Sequence, residues 1–243
     1  MIGILIFPDF QLLDAAGPIS VFEIAARCTG KTTTGIRVLA VNAGPVRSSS
    51  GVEMMARNFK SANAITTLVV AGGAGVTDAA RCEVTRAFVQ RLARRGVRVA
   101  SVCSGAYVLA EAGLLDGRRA TTHWGRTRDF VARYPKVKFE PDQIFTHDGN
   151  VWTSAGITAG IDLALAMAAE DFGDEVARNT ARQLVLHERR AREVHDRGDA
   201  AHLVGNAAQV GQGHGGAEGC REVAERRGGR GADRREPGAS GCA

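Results

Sequence analysis

The chain has 243 residues, enough for one large α/β domain, and a formal net charge of +5. Basic residues are interleaved with acidic ones, without the basic and aromatic stripe of a nucleic-acid-binding surface. The sequence has no apolar run long enough to span a bilayer and no signal peptide at its start, so we expect a cytoplasmic protein that does not contact membranes. The five cysteines form no CxxC pair, and we expect no disulfide framework, no metal site and no cofactor.

In the first half of the chain, apolar β-branched runs alternate with helical patterns. Three segments are predicted to form strands, at residues 1–7, 36–41 and 66–71, and a short strand or a hairpin is expected around residues 52–56. The segment 9–18 is rich in turn formers, and Pro18 suits the first position of a helix that runs to about Ala26. Another helix is predicted from Glu83 to Arg95. This alternation is typical of a mostly parallel sheet that is covered by helices.

The second half of the predicted domain begins with a strand at residues 97–102 and a helix directly after it. A short extended piece at 119–124 leads to a helix near Asp129. Alternating residues around an Asp-Gly-Asn turn predict a hairpin from Phe145 to Ser154. From Ile157 to Leu186 the chain is helix-forming, with a break at 172–174.

The composition of the chain changes at His187. The last 57 residues hold 12 of the 30 glycines and 10 arginines but none of the 13 aromatic residues. Such a segment cannot bury enough apolar surface to offset the entropy lost on ordering. We therefore divide the chain into an α/β domain at 1–188 and a low-complexity tail at 189–243, with disorder expected from about residue 190.

Cys103 lies at the predicted turn from the 97–102 strand into a helix. The spacing Ser101-x-Cys103-x-Gly105 resembles a nucleophile elbow, in which small residues occupy the two positions where backbones crowd. The first turn of a helix favours thiolate over thiol, so Cys103 is a candidate nucleophile. The alternative is a free cysteine packed at the end of a core strand.

Three other features are expected near Cys103, because ligands of doubly wound sheets gather at the carboxyl ends of strands. Asp14 is either a carboxyl group beside the thiol or a helix cap. Gly72 and Gly73 either supply a backbone N–H to an oxyanion, together with the Ser104 amide, or form an ordinary tight turn. His123 is either a general base or ligand donor, or a hydrogen-bonded structural residue.

Four phrases in order resemble the ThiJ/PfpI superfamily, the glutamine-amidotransferase-like proteins. They are IFPDFQLLDAAGP (6–18), SVCSGA (101–106), GRRATTHW (117–124) and TSAGITAGID (153–162). The resemblance covers about residues 2–186. It implies a three-layer αβα sandwich with a flavodoxin-like, mostly parallel sheet, a strand-Cys-helix elbow, and a homodimer.

Two branches of this superfamily share the four phrases. Resemblance to the isocyanide (isonitrile) hydratases implies that Cys103 is the nucleophile, Asp14 the acid/base carboxylate and Ser104 the neighbour of the thiol. Resemblance to the AraC-type, GlxA-like transcriptional regulators implies a small-molecule sensor domain that precedes a helix-turn-helix domain. The phrases at 101–117 and 177–186 are more similar to the regulators, and the sensor is our first hypothesis.

After His187 the chain departs from the regulator pattern, because no helical periodicity with a core follows. We therefore do not expect DNA binding from this chain. An Arg/Gly/Ala tail without aromatics is typical of GC-rich coding DNA read out of frame, and we hypothesise a frame shift near codon 187. Translation of the other two frames tests this hypothesis.

Overall fold

The computed structural model describes residues 1–30, 35–59, 62 and 64–186. The strands are β1 (Ile2–Leu5), β2 (Ile36–Ala40), β3 (Gly44–Arg47), β4 (Glu53–Asn58), β5 (Thr67–Val70), β6 (Arg98–Val102), β7 (Arg119–Ala120), β8 (Lys138–Phe139), β9 (Phe145–Asp148) and β10 (Val151–Ser154). The helices are α1 (Leu12–Cys28), α2 (Val76–Arg81), α3 (Glu83–Arg94), α4 (Ala106–Glu111), α5 (Thr127–Arg133), α6 (Ala159–Phe172) and α7 (Asp174–Gln183).

Eight strands form one mostly parallel sheet in the order β3-β4-β2-β1-β5-β6-β10-β9. The two edge strands, β3 and β9, run antiparallel to their neighbours, and β7 pairs with β8 separately. Helices α1, α6 and α7 pack together, while α2, α3 and α4 form a second group. The predicted sandwich with a mostly parallel sheet flanked by helices is thereby confirmed.

The centre of the sheet is apolar on both faces. Every residue of β1 and β5 is buried, and the two strands pair in register, with Ile4 beside Val69. Strands covered by helices on both sides need such continuous apolar runs rather than alternation. These central strands therefore fix the positions at which the neighbouring loops leave the carboxyl edge of the sheet.

The first helix begins earlier than the sequence predicts. It starts at Leu12, so Pro18 lies inside it rather than at its first position. The reason is a tertiary contact: the Gln11 backbone N–H donates to the Gly72 carbonyl oxygen at 2.8 Å and fixes the start of the helix. Local propensity is overridden by such contacts. The sequence pattern also does not predict helix α2 or strands β3 and β8.

The other predicted elements are present with small shifts of their ends. The hairpin is β9–β10, and the break in the last helical region is Gly173, which has a φ of +89°. The predicted disorder and the tail at 189–243 lie outside the described residues. Within the described ranges, no helix is both long and apolar enough to cross a bilayer.

Candidate functional site at the Cys103 elbow

Cys103 occupies a strained turn between β6 and α4. Its φ of +56° lies in the left-handed region, which side-chain-bearing residues rarely adopt, and residues 103–105 form a single 3-10 turn. A Cβ atom on Gly105 would lie 2.4 Å from the Val70 carbonyl oxygen, so the turn requires glycine there. This is the geometry of a nucleophile elbow, as the spacing predicts.

Asp14 lies in the first turn of α1 and is fully buried. Its Oδ2 accepts a hydrogen bond from the Gly72 backbone N–H at 3.0 Å. The alternative that Asp14 caps the helix is wrong, because the capping position is Gln11 and the partner of Asp14 is 58 residues away. Among the described residues, Oδ1 has no hydrogen-bond partner of normal geometry. The carboxyl group is therefore available to a neighbour.

The neighbour of this carboxyl group is the Cys103 thiol, which interacts with Asp14 through a side-chain hydrogen bond. Burial raises the pKa of Asp14 to about 6, although the Gly72 and Ile157 amides and the thiol lower it in part. Burial, and next the charge of Asp14, raise the pKa of Cys103 to about 12. At neutral pH the resting pair is therefore a thiol beside a largely ionised carboxylate.

The effect of the helix start on the pKa of the thiol is present but outweighed. The Ser104 backbone N–H and hydroxyl lower the pKa of Cys103, as a helix start should, but burial and the carboxylate outweigh them. The site instead places a base next to a thiol. Attack on an electrophile with transfer of the thiol proton to Asp14 would leave no buried negative charge on sulfur.

Gly72 and Gly73 lie beside the thiol, but their amides have partners. The Gly72 N–H donates to Asp14, and the Gly73 N–H donates to Ser104 Oγ at 3.0 Å. In the resting site these amides hold the carboxyl and hydroxyl groups in place. The Ser104 N–H lies at the sulfur, so the proposed oxyanion role is best supported for this amide.

His123 forms a local hydrogen bond. Its Nδ1 accepts from the Gly125 N–H at 3.2 Å and caps the following turn, as the structural alternative predicts. In the described part of the chain no hydrogen bond joins His123 to Cys103. The preceding residue contacts the elbow instead: Thr122 Oγ1 donates to the Cys103 carbonyl oxygen at 2.9 Å. A general-base role for His123 stays a prediction.

Gly156 and Ile157 are site residues that the sequence reasoning missed. A Cβ atom on Gly156 would lie 2.9 Å from Cys103 Sγ, and the glycine has a φ of +123°. Ile157, with a strained φ of +46°, directs its amide to Asp14. Both belong to the phrase at 153–162, but only the fold brings that loop to the thiol.

Two grooves lie at the other end of the sheet. Their volumes are about 760 and 620 Å³, and they are lined by residues near the starts of β6 and β10, such as Val99, Arg98 and Asn150. Neither is lined by Cys103. Within the described ranges, no group of three or more His, Cys, Asp or Glu side chains could hold a metal ion.

The fold and the site together define an α/β sandwich with a cysteine elbow and a buried carboxyl partner. The chain belongs to the DJ-1/PfpI family, whose model matches residues 1–170. It is similar to the isonitrile hydratase of Pseudomonas putida, with 36% identity over 184 residues that cover 75% of this chain and 77% of that protein.

The chain is also similar to regulators and to solved structures. It is 33% identical to the HTH-type transcriptional regulator GlxA of Rhizobium meliloti over 181 residues, 74% of this chain and 56% of that protein. A crystal structure of a ThiJ/PfpI family protein from Pseudomonas syringae matches with a TM-score of 0.67 and 31% identity, covering 76% and 74% of the two chains. The match thus covers little more than half the length of GlxA and of the HTH-type transcriptional regulator GbdR of Pseudomonas aeruginosa.

Proposed function

We propose that residues 1–186 form a small-molecule-sensing domain of the kind found in GlxA-like regulators, and that the ligand binds at Cys103 and Asp14. The observation that carries the proposal is the resting state of the site. The raised pKa of Cys103, about 12, keeps the thiol protonated at neutral pH. The Gly72 and Gly73 amides already donate within the protein. Such a site favours the binding of a small molecule, through the carboxylate and the thiol, over its rapid chemical conversion.

The regulator relatives support the same function. The similarity to GlxA extends over 181 residues, 74% of this chain and 56% of the regulator, whose remaining length lies outside the match. The three cysteines in the described ranges are free thiols, which suits a reducing compartment, and we propose a cytoplasmic homodimer. Light scattering after gel filtration tests the dimer, because a monomer at micromolar concentration would contradict it.

A second candidate is an enzyme that hydrates isocyanides, and one observation favours it. The Asp14 carboxylate lies next to the thiol and interacts with it through a side-chain hydrogen bond. In this reaction sulfur bonds to the terminal isocyanide carbon while Asp14 takes the thiol proton and returns it to that carbon. Water then adds to the resulting thioimidate C=N bond, and the C–S bond breaks to give an N-formamide and free thiol.

One experiment separates the two candidates. The protein is incubated with tert-butyl isocyanide, and N-tert-butylformamide is measured by mass spectrometry, with Cys103→Ala as the control. The sensor predicts no formamide above the Cys103→Ala background, while iodoacetamide still labels Cys103 in the folded protein. Formamide production that Cys103→Ala abolishes would overturn the sensor proposal in favour of the enzyme.

A further inference from the structure

Thr122 contacts the backbone of the elbow from outside the turn. Its side chain is 1% exposed, and its Oγ1 donates to the Cys103 carbonyl oxygen at 2.9 Å in a fully buried hydrogen bond. The acceptor is the carbonyl group of the residue with the strained φ of +56°. A buried carbonyl group without a hydrogen-bond donor raises the free energy of the folded protein. The contact therefore holds the turn in its observed conformation.

The segment that carries Thr122 is itself fixed by hydroxyl groups on the neighbouring hairpin. The Thr121 N–H donates to Thr153 Oγ1 at 2.7 Å, and Thr153 Oγ1 is 2.7 Å from Thr146 Oγ1. All three residues are buried. Because Thr153 belongs to β10, which pairs with β6, the position of Thr122 is tied to the strand that ends at the elbow.

The Cys103 carbonyl group and the Ser104 N–H belong to one peptide unit. In a planar trans peptide these two groups point in opposite directions, so a hydrogen bond that fixes the carbonyl also fixes the N–H. The Ser104 N–H lies at the sulfur and lowers the pKa of the thiol. We propose that Thr122 is a positioning residue that orients the Ser104 N–H toward the Cys103 sulfur.

The inference deepens the proposed function, since it rests on Cys103 as the working thiol of the site. According to this inference, Thr122 affects the reactivity of the Cys103 thiol as well as the stability of the folded protein. In Thr122→Val the side-chain shape is kept but the hydroxyl group is lost, so the 103–104 peptide loses its fixed orientation. The Ser104 N–H then stabilises the thiolate less well, and alkylation of Cys103 slows.

Alkylation is measured on the full chain at about pH 8 with iodoacetamide, followed by acid quench, trypsin and mass spectrometry. The tryptic peptide 99–118 contains Cys103 and no other cysteine, and the peptide 82–86 provides Cys82 as an internal reference. Thr121→Val is the matched control. Within the described ranges, the hydroxyl group of this adjacent buried residue makes only a long hydrogen bond of 3.4 Å, to the Gln143 carbonyl oxygen.

Thr122→Val is expected to slow the alkylation of Cys103 about tenfold, which corresponds to one pKa unit. Thr122→Ser, which keeps the hydroxyl group, and Thr121→Val are expected to react at the wild-type rate. Thr122→Ala is measured alongside, so that a folding failure of the valine variant does not end the test. Circular dichroism verifies that each variant is folded.

Three results would overturn the inference. The first is that Cys103 is alkylated at the wild-type rate in a folded Thr122→Val or Thr122→Ala variant. The second is that alkylation in Thr121→Val is as slow as in Thr122→Val. The third is that alkylation in Thr122→Ser is about tenfold slower than in wild type. The assay needs neither an isocyanide nor a cellular ligand. Failure of the proposed sensor or enzyme function would therefore leave the order of the alkylation rates unchanged.

Discussion

Replacing Asp14 by asparagine tests whether a buried carboxylate destabilises the resting site. The asparagine carbonyl oxygen keeps an acceptor for the Gly72 N–H, which donates to Asp14 Oδ2 at 3.0 Å in the wild type. The variant removes the charge that the fully buried site must otherwise accommodate. We therefore expect Asp14→Asn to be more stable than wild type at neutral pH.

The size of this effect follows from the pKa of Asp14, which burial raises from 3.8 to about 6. This difference corresponds to about 3 kcal/mol of unfolding free energy. Between the two values the folded protein binds more protons than the unfolded chain, so wild-type stability falls as the pH rises. The destabilisation is complete above about pH 6 and absent below about pH 4.

The measurement is urea unfolding of wild type and Asp14→Asn across the range from about pH 4 to about pH 8. The variant is expected to gain up to about 3 kcal/mol over wild type at the upper end and nothing at the lower end. Asp142→Asn, which changes an exposed carboxylate, is the matched control. A stability difference between Asp14→Asn and wild type that does not vary with pH would refute the reasoning.

Two further substitutions test the packing around the elbow. Gly156→Ala would place a Cβ atom 2.9 Å from Cys103 Sγ at a φ of +123°, so we expect a loss of about 2 kcal/mol in urea unfolding; an unchanged midpoint would contradict this contact. Tyr107→Phe removes the hydroxyl group that donates to Asp129 at 2.8 Å, and about 1 kcal/mol should be lost. If this bond is the cause, Tyr107→Phe destabilises the wild type but not an Asp129→Ala background, and no loss in Tyr107→Phe would exclude it.

Much of the fold could be predicted because its signals are local. The apolar run before Cys103, the small residues around it and the Asp-Gly-Asn turn of the hairpin each depend on residues close in sequence. The start of α1 could not be predicted in this way. Pro18 and the turn formers before it indicate a later start, whereas contacts of Gln11 with the Gly72 loop decide the observed one.

The site was predictable in its members but not in its hydrogen bonds. Cys103 and Asp14 were identified because both follow buried strands, and the sheet brings the ends of those strands together. Asp14 and the Gly72 N–H that donates to it are 58 residues apart in the sequence, and Thr122 and Cys103 are 19 residues apart. Sequence spacing carries no signal for such contacts. The raised pKa of the thiol likewise depends on burial that only the folded chain produces.

The central claim is that a small molecule binds at Cys103 and Asp14, and protection from alkylation tests it most directly. The protein is treated with iodoacetamide in the presence and absence of the ultrafiltered small-molecule fraction of a bacterial lysate, and peptide 99–118 is quantified. We predict slower labelling of Cys103 with the fraction present, no change at Cys82, and loss of protection in Asp14→Asn. Labelling of Cys103 that no such fraction slows, or equal protection in Asp14→Asn, would contradict the account.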